Sequence, residues 1–306
     1  MELDALRGAA LAGIVMVNIV QMTGVTRPDG PAAAHPGAFG FELLFLQRPF
    51  PVFTFLFGVG FAMLLCTASR LVLLRRLLWL GVFAALHTLL QPNEVLKYYT
   101  VYGIAVLLPA SFLPRRWTLV LGIAYTATVG VTLGGVYIIP GLFLLGMATA
   151  RYGLPETLAG RGGQLLTAFG VALPCAALMG WEQYRHGVGP SAQQWTLAAG
   201  LFFAFLYTVG LLLVMRTPAR RLCTVVLAPM GRLALTNYVL ASALILAADA
   251  VFRVGESRGY GTVVAVGAGI GAVQAVLSVG WLRFFRQGPL EWAWRSLTYW
   301  RPVPLR

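Results

Sequence analysis

Apolar residues run along this chain in stretches of about twenty, separated by short polar breaks. The stretches cover residues 5–23, 43–66, 73–90, 98–113, 117–135, 136–150, 164–181, 195–215, 230–251 and 261–282. Runs of that length predict membrane-crossing helices. Barrel strands would instead alternate polar and apolar positions in runs of about ten, a pattern this chain lacks. The expected fold is therefore all-α, a polytopic transmembrane helical bundle of about ten helices. The fifth and sixth stretches share one apolar run, broken at Gly134, Gly135 and Pro140.

The last residues are too polar to span a bilayer. Gly288 and Pro289 suit a helix start, and Leu290, Ala293, Trp294 and Leu297 fall on one face. Glu291 and Arg295 form an i,i+4 pair on the other side. Residues 1–284 thus read as the transmembrane bundle and 285–306 as a cytoplasmic tail. The tail would carry a short interfacial helix anchored by Trp292, Trp294 and Trp300.

Composition agrees with the pattern. Hydrophobic residues make up 58% of the 306 positions and charged ones only 11%. A soluble domain would need far more polar surface. The net charge of +13 does not point to nucleic acid, because the basic residues are spread over inter-helix loops. With the N-terminus inside, fifteen arginines fall on the cytoplasmic side, from Arg70 to Arg306. Only Arg27, Lys97, Arg185, Arg253 and Arg258 fall outside. That bias places both termini in the cytoplasm of a bacterial plasma membrane. Lys97 is the only lysine, a bias that suggests a GC-rich bacterial genome. Glu2 and Asp4 ahead of the first run, and the lack of a cleavage site after it, read as a retained helix.

All three histidines, His35, His87 and His186, then lie at or near the outer side. Cys66, Cys175 and Cys223 show no ligand spacing and read as packing residues, so no metal is expected.

Polar groups within the apolar runs are the candidates for chemistry, since each costs roughly 2.5–3.5 kcal/mol at the bilayer centre. At 100° per residue, Asp4, Arg7 and Asn18 share an arc of about 60° on the first helix. They are expected to face protein. The plain account is an interfacial ion pair and one hydrogen bond to a neighbouring helix. In the second stretch, Pro49 and Pro51 are expected to kink the helix beside Arg48, placed near the outer surface. His87 and Glu94 flank a turn marked by Pro92 and Asn93. They read either as a general base with its orienting acid or as a wetted pair at the interface. Arg232, Thr236 and Asn237 lie on neighbouring positions of the ninth stretch, as substrate contacts or as interhelical glue.

No phosphate-binding glycine loop, nucleophile elbow, HExxH or CxxC is present. Four blocks do carry a resemblance. They are "LDALRGAALAGIVMVNI", "FPVFTFLFGVGFAM", "RRLLWLGVFAALH" followed by "EVLKYYTVYG", and "APMGRLALTNYVLAS" with the tail "GPLEWAWRSLTY". Together they resemble the YeiB-like family of bacterial membrane proteins, whose domain has no established function. Glu94 stands where that family usually has Asp. The first block is also similar to membrane acyltransferases that open with an "LDxLRG" helix. Among these, the lysosomal heparan acetyltransferase family keeps an Asn at the position of Asn18 and uses a His in the following loop.

That resemblance implies a membrane-embedded acyltransferase. An acyl-CoA co-substrate would approach from the cytoplasm, its phosphates met by Arg7 and other inner arginines. The acyl group would pass to an outward-facing hydroxyl or amine on a small molecule, glycan or lipid. His35 or His87 would act as base, Glu94 would orient His87, and Asn18 would hold the carbonyl. Asp4, Arg7, Arg48, Arg232 and Asn237 would contact substrate. The alternatives are a small-molecule transporter or exporter, for which broken helices and buried charges also serve, and a scaffold whose polar groups only lock helices together.

Overall fold

The computed structural model describes residues 1–256 and 259–305, so Arg258 and Arg306 lie outside the described residues. Among these, the chain is helical throughout, with no strand beyond an isolated bridge between Gly30 and Val188. The main helices are α1 (Glu2–Thr23), α2 (Pro36–Leu44), α3 (Pro49–Leu65), α4 (Arg70–His87), α5 (Leu96–Tyr102), α6 (Arg115–Tyr125) and α7 (Ile139–Arg151). They continue with α8 (Gly162–His186), α9 (Gln193–Val214), α10 (Ala228–Arg232), α11 (Ala234–Phe252), α12 (Tyr260–Trp281) and α13 (Pro289–Tyr299). Wider π-helical turns follow α5 and α6, at Gly103–Leu107 and Thr126–Gly130, and precede α10, at Cys223–Leu227.

Each apolar stretch of the sequence forms helix, but not always one helix. Among the described residues, six helical runs are long and apolar enough to cross a membrane. They are Glu2–Thr23, Pro36–Leu65, Gly162–His186, Pro190–Val214, Ala234–Phe252 and Tyr260–Trp281. The protein therefore has the character of a multi-pass membrane protein. The other stretches fall short for visible reasons. Helix α4 carries Arg70, Arg75 and Arg76 within 18 residues. The stretches around α5 and α6 are divided by their π turns. The sixth, Gly135–Arg151, is short.

Two expectations about helix geometry need correction. The second stretch is not a single kinked helix. It is α2 and α3, separated by residues 45–48, with Gln47 in the left-handed region at φ 61°. Pro49 and Pro51 sit in the first turn of α3, where a proline costs no hydrogen bond. The ninth stretch is also broken, at Leu233, whose φ of −101° and ψ of 38° end α10 before α11 begins.

The chain divides into two compact units, residues 1–52 with 161–281, and residues 53–160 with 282–306. In the first, α1 packs against α10, α11 and α12, and α8 pairs with α9. One apolar cluster in it includes Val15, Ile19, Phe41, Ala241, Ile245 and Val263. Gly8 and Gly231 let two backbones meet, because a methyl group on Gly8 would overlap the Leu227 carbonyl and one on Gly231 the Asp4 carbonyl.

In the second unit, α6 packs on α7, and α4 packs on α5 and α13. The rings of Phe57, Tyr99 and Phe143 form its centre, with centroids 4.9–5.2 Å apart. The tail helix begins at Pro289, as its sequence predicts. The indole N–H of Trp294 donates to the Arg76 carbonyl at 2.8 Å, and the Arg76 guanidinium stacks on its ring at 3.6 Å. Trp292 is tied to the Val303 carbonyl at 2.8 Å. Two of the three expected membrane anchors are thus held by the protein itself, while Trp300 is 74% exposed beside Arg75.

Candidate functional site

The first unit holds most of the candidate residues. On α1, Leu11, Val15 and Asn18 are buried, so the stripe predicted from helical periodicity does face protein. Asp4 and Arg7 pair with each other at 3.1 Å at the half-exposed end of the stripe. Arg7 is therefore engaged by its own helix neighbour. Asn18 differs, because its amide nitrogen is buried and finds no acceptor among the described residues. His35 caps the start of α2, half-exposed, and its ring makes no hydrogen bond to the described residues.

Arg48 lies in the break between α2 and α3 and is fully buried within the protein. The break brings non-helical backbone inside an apolar segment, which is tolerated only where protein surrounds it. Arg48 donates to Oε1 of Gln183 on α8 at 2.6 Å and to the Thr196 carbonyl on α9 at 3.2 Å. Its guanidinium also lies 5.0 Å from the centre of the Phe203 ring.

One turn before the break, Glu42 is buried on α2. Its Oε1 accepts from Arg27 at 2.8 Å and from the Gly189 N–H at 3.4 Å. Among the described residues, four buried atoms in this region have no partner: Glu42 Oε2, Arg48 Nε, Gln183 Nε2 and the Tyr260 hydroxyl.

Sequence reasoning misses Glu42 and Gln183 by narrow margins. The second apolar stretch begins at 43, one residue after Glu42, and the seventh ends at 181, two residues before Gln183. Hydropathy alone therefore puts both in loops. A signal is present in Glu42, a carboxylate at the edge of an apolar run that Arg48 soon interrupts.

Arg232 and Asn237 do not share a helix face, because the break at Leu233 separates them. Arg232 is exposed at the end of α10. Asn237 is buried and donates to the Met230 carbonyl at 3.0 Å and the Ser278 hydroxyl at 2.9 Å. Its own carbonyl accepts from Gln274 at 2.6 Å. Asn237 thus ties α11 to α10 and α12.

The second unit holds His87 and Glu94. Both are buried, and Nδ1 of His87 is hydrogen-bonded to Oε2 of Glu94. The other carboxylate oxygen of Glu94 accepts from the Leu96 N–H at 2.6 Å and so begins α5. The tight turn between α4 and α5 brings the two side chains together. The carboxylate accepts a hydrogen bond from Nδ1–H, which keeps the proton on that nitrogen and leaves Nε2 as the basic nitrogen of the ring. Among the described residues, no three His, Cys, Asp or Glu side chains converge as a metal site.

Residues 157–301 match the family model described as "Protein of unknown function (DUF418)". An uncharacterized 39.9 kDa protein encoded in the amylase 3′ region of Bacillus acidopullulyticus is 31% identical, over 99% of this chain and 94% of that protein. The uncharacterized protein YxaH of Bacillus subtilis (strain 168) is 35% identical over 33% of this chain and 26% of its own length. YeiB of Escherichia coli (strain K12), also uncharacterized, is 36% identical over 24% of this chain and 19% of its own length. No solved structure matches. With near-complete coverage of a relative at this identity, and with the matched domain and the YeiB segment in agreement, the chain belongs to the YeiB-like DUF418 family.

Proposed function

We propose that the protein is a membrane-embedded acyltransferase that moves an acyl group from a cytoplasmic acyl-CoA to an outward-facing hydroxyl or amine. The observation that carries this reading is the buried pair of His87 and Glu94, in which the acid fixes the ring tautomer. In this scheme the acceptor O–H or N–H gives its proton to His87 Nε2 while its heteroatom attacks the thioester carbonyl. The C–S bond breaks, and the imidazolium returns the proton to the departing thiolate, giving acylated acceptor and free CoA. His35 is the weaker candidate, since no hydrogen bond fixes its ring.

The arginine distribution supports ten crossings with both termini cytoplasmic in a bacterial plasma membrane. Reporter fusions at each loop test that topology. Transfer of label from acyl-CoA to acceptor in proteoliposomes tests the activity, and His87→Gln is expected to abolish it in folded protein. Full activity in that variant would sink the assignment.

A small-molecule exporter is the second reading. It is favoured by the second segment, broken around a buried arginine in the manner of transporter helices. Substrate flux without acyl transfer would select it.

A further inference from the structure

We infer that Arg48 and Gln183 form a binding site for a small oxyanion, a carboxylate or phosphate group. The argument begins with charge. Arg48 is fully buried, yet among the described residues it meets no carboxylate at ion-pair distance. Its acceptors are all neutral: the Gln183 side chain and the carbonyls of Leu46 and Thr196. Glu42, the nearest candidate counter-ion along the chain, spends Oε1 on Arg27 and Gly189. Glu42 acts on Arg48 through its charge but is shared with Arg27, so the three groups carry one positive charge in excess; burying that excess is costly, and an anion removes the cost.

Geometry supplies the second, independent observation. Arg48 Nε and Gln183 Nε2 are buried N–H donors without partners, on two side chains already joined at 2.6 Å. An oxyanion accepts from both, one oxygen on each, which is the recognition that guanidinium and amide edges favour. A protonated oxygen on the same ligand, such as a neighbouring hydroxyl, would meet the unpartnered Glu42 Oε2. Arg27, 29% exposed, bridges from the solvated edge of this cluster to Glu42. The chain therefore places a second cation at the solvated edge of the cluster.

The site lies within the first unit and its occupancy is read without turnover. Acyl transfer can fail while this stands, and the reverse. The test uses purified full-length protein in nanodiscs. Lactate and inorganic phosphate are titrated separately at constant ionic strength set by chloride, with thermal stability as readout. Wild type should show a saturable rise with at least one of them. Arg48→Lys keeps the charge but removes Nε, and Gln183→Met removes the amide donor at similar size. Each is expected to weaken the response about tenfold, the effect of one charge-assisted hydrogen bond. Arg253→Gln, at an exposed arginine of the same unit, should leave it unchanged. A response to lactate alone identifies a carboxylate ligand, and a response to phosphate alone a phosphate ligand. If Arg48→Lys does not fold, Gln183→Met decides. Absence of any saturable response at tens of millimolar, which would mean that water completes the cluster, overturns the inference. So does a response that the folded variants leave unaltered.

Discussion

Arg48 and Gln183 are joined by a 2.6 Å hydrogen bond across 135 positions of sequence, both fully buried. The bond ties the break after α2 to the end of α8. Removing the guanidinium leaves Gln183 Oε1 without its donor and takes an added donor from the Thr196 carbonyl. Arg48→Ala is expected to destabilise the fold by about 1–3 kcal/mol, the usual cost of leaving a buried polar group such as Gln183 Oε1 unsatisfied. Reversible unfolding in mixed micelles measures it, and a loss below about 1 kcal/mol would show that the network is not structural.

Glu94 bonds to His87 and to the Leu96 N–H. Glu94→Gln keeps an oxygen for Leu96 but can no longer hold the ring as a charged acceptor. Under the acyl-transfer proposal, kcat should fall about 10²–10⁴-fold with little change in KM. A rise in KM with kcat intact would instead place the pair in substrate binding.

Gly8 and Gly231 meet the opposite backbones of α1 and of the segment around α10. Carbonyls cannot yield as side chains can. Gly8→Ala and Gly231→Ala should each cost about 1–3 kcal/mol or more from overpacking. Thermal unfolding checks this, with Gly269→Ala, where a methyl group meets open space, as the tolerated control.

Asn237 serves α10 and α12 through two side-chain hydrogen bonds. Asn237→Ala is expected to lower stability by about 1–3 kcal/mol, given ~0.6–1.7 for each interhelical bond in membranes. Its effect on substrate affinity should be small. A large change in KM at unchanged stability would restore it as a substrate contact.

Trp294 joins the tail helix to α4 by a hydrogen bond and by the stacked Arg76. Trp294→Ala removes both, worth about 1–3 kcal/mol together. Protease cleavage within the tail should accelerate while the rest of the chain stays resistant. Trp300→Ala, at an exposed ring, should change cleavage less.

Much of this architecture is legible in the amino-acid sequence. The inward face of α1 follows from 100° steps between Asp4, Arg7 and Asn18, and the pairing of His87 with Glu94 follows from one tight turn. Local geometry is what sequence spacing reports well. The Arg48 cluster is a different case. Its members come from α2, the following break, α8 and α9, and nothing in the local pattern links positions 42, 48, 183 and 196. The break itself is hidden because Pro49 and Pro51 read equally well as a mid-helix kink or as a first turn. The left-handed Gln47 that turns the chain is not a residue type that announces such a conformation.

The division of the chain also sets an order of events at the ribosome. The first unit is made from residues 1–52 and 161–281, so its two parts are synthesised apart. Arg48 emerges 135 residues ahead of Gln183. At about 5–20 residues per second, that is a wait of roughly 7–27 s. During it the arginine must rest at the lipid–water boundary or among provisional neighbours. The break after α2 therefore cannot take its final form until the later helices are inserted.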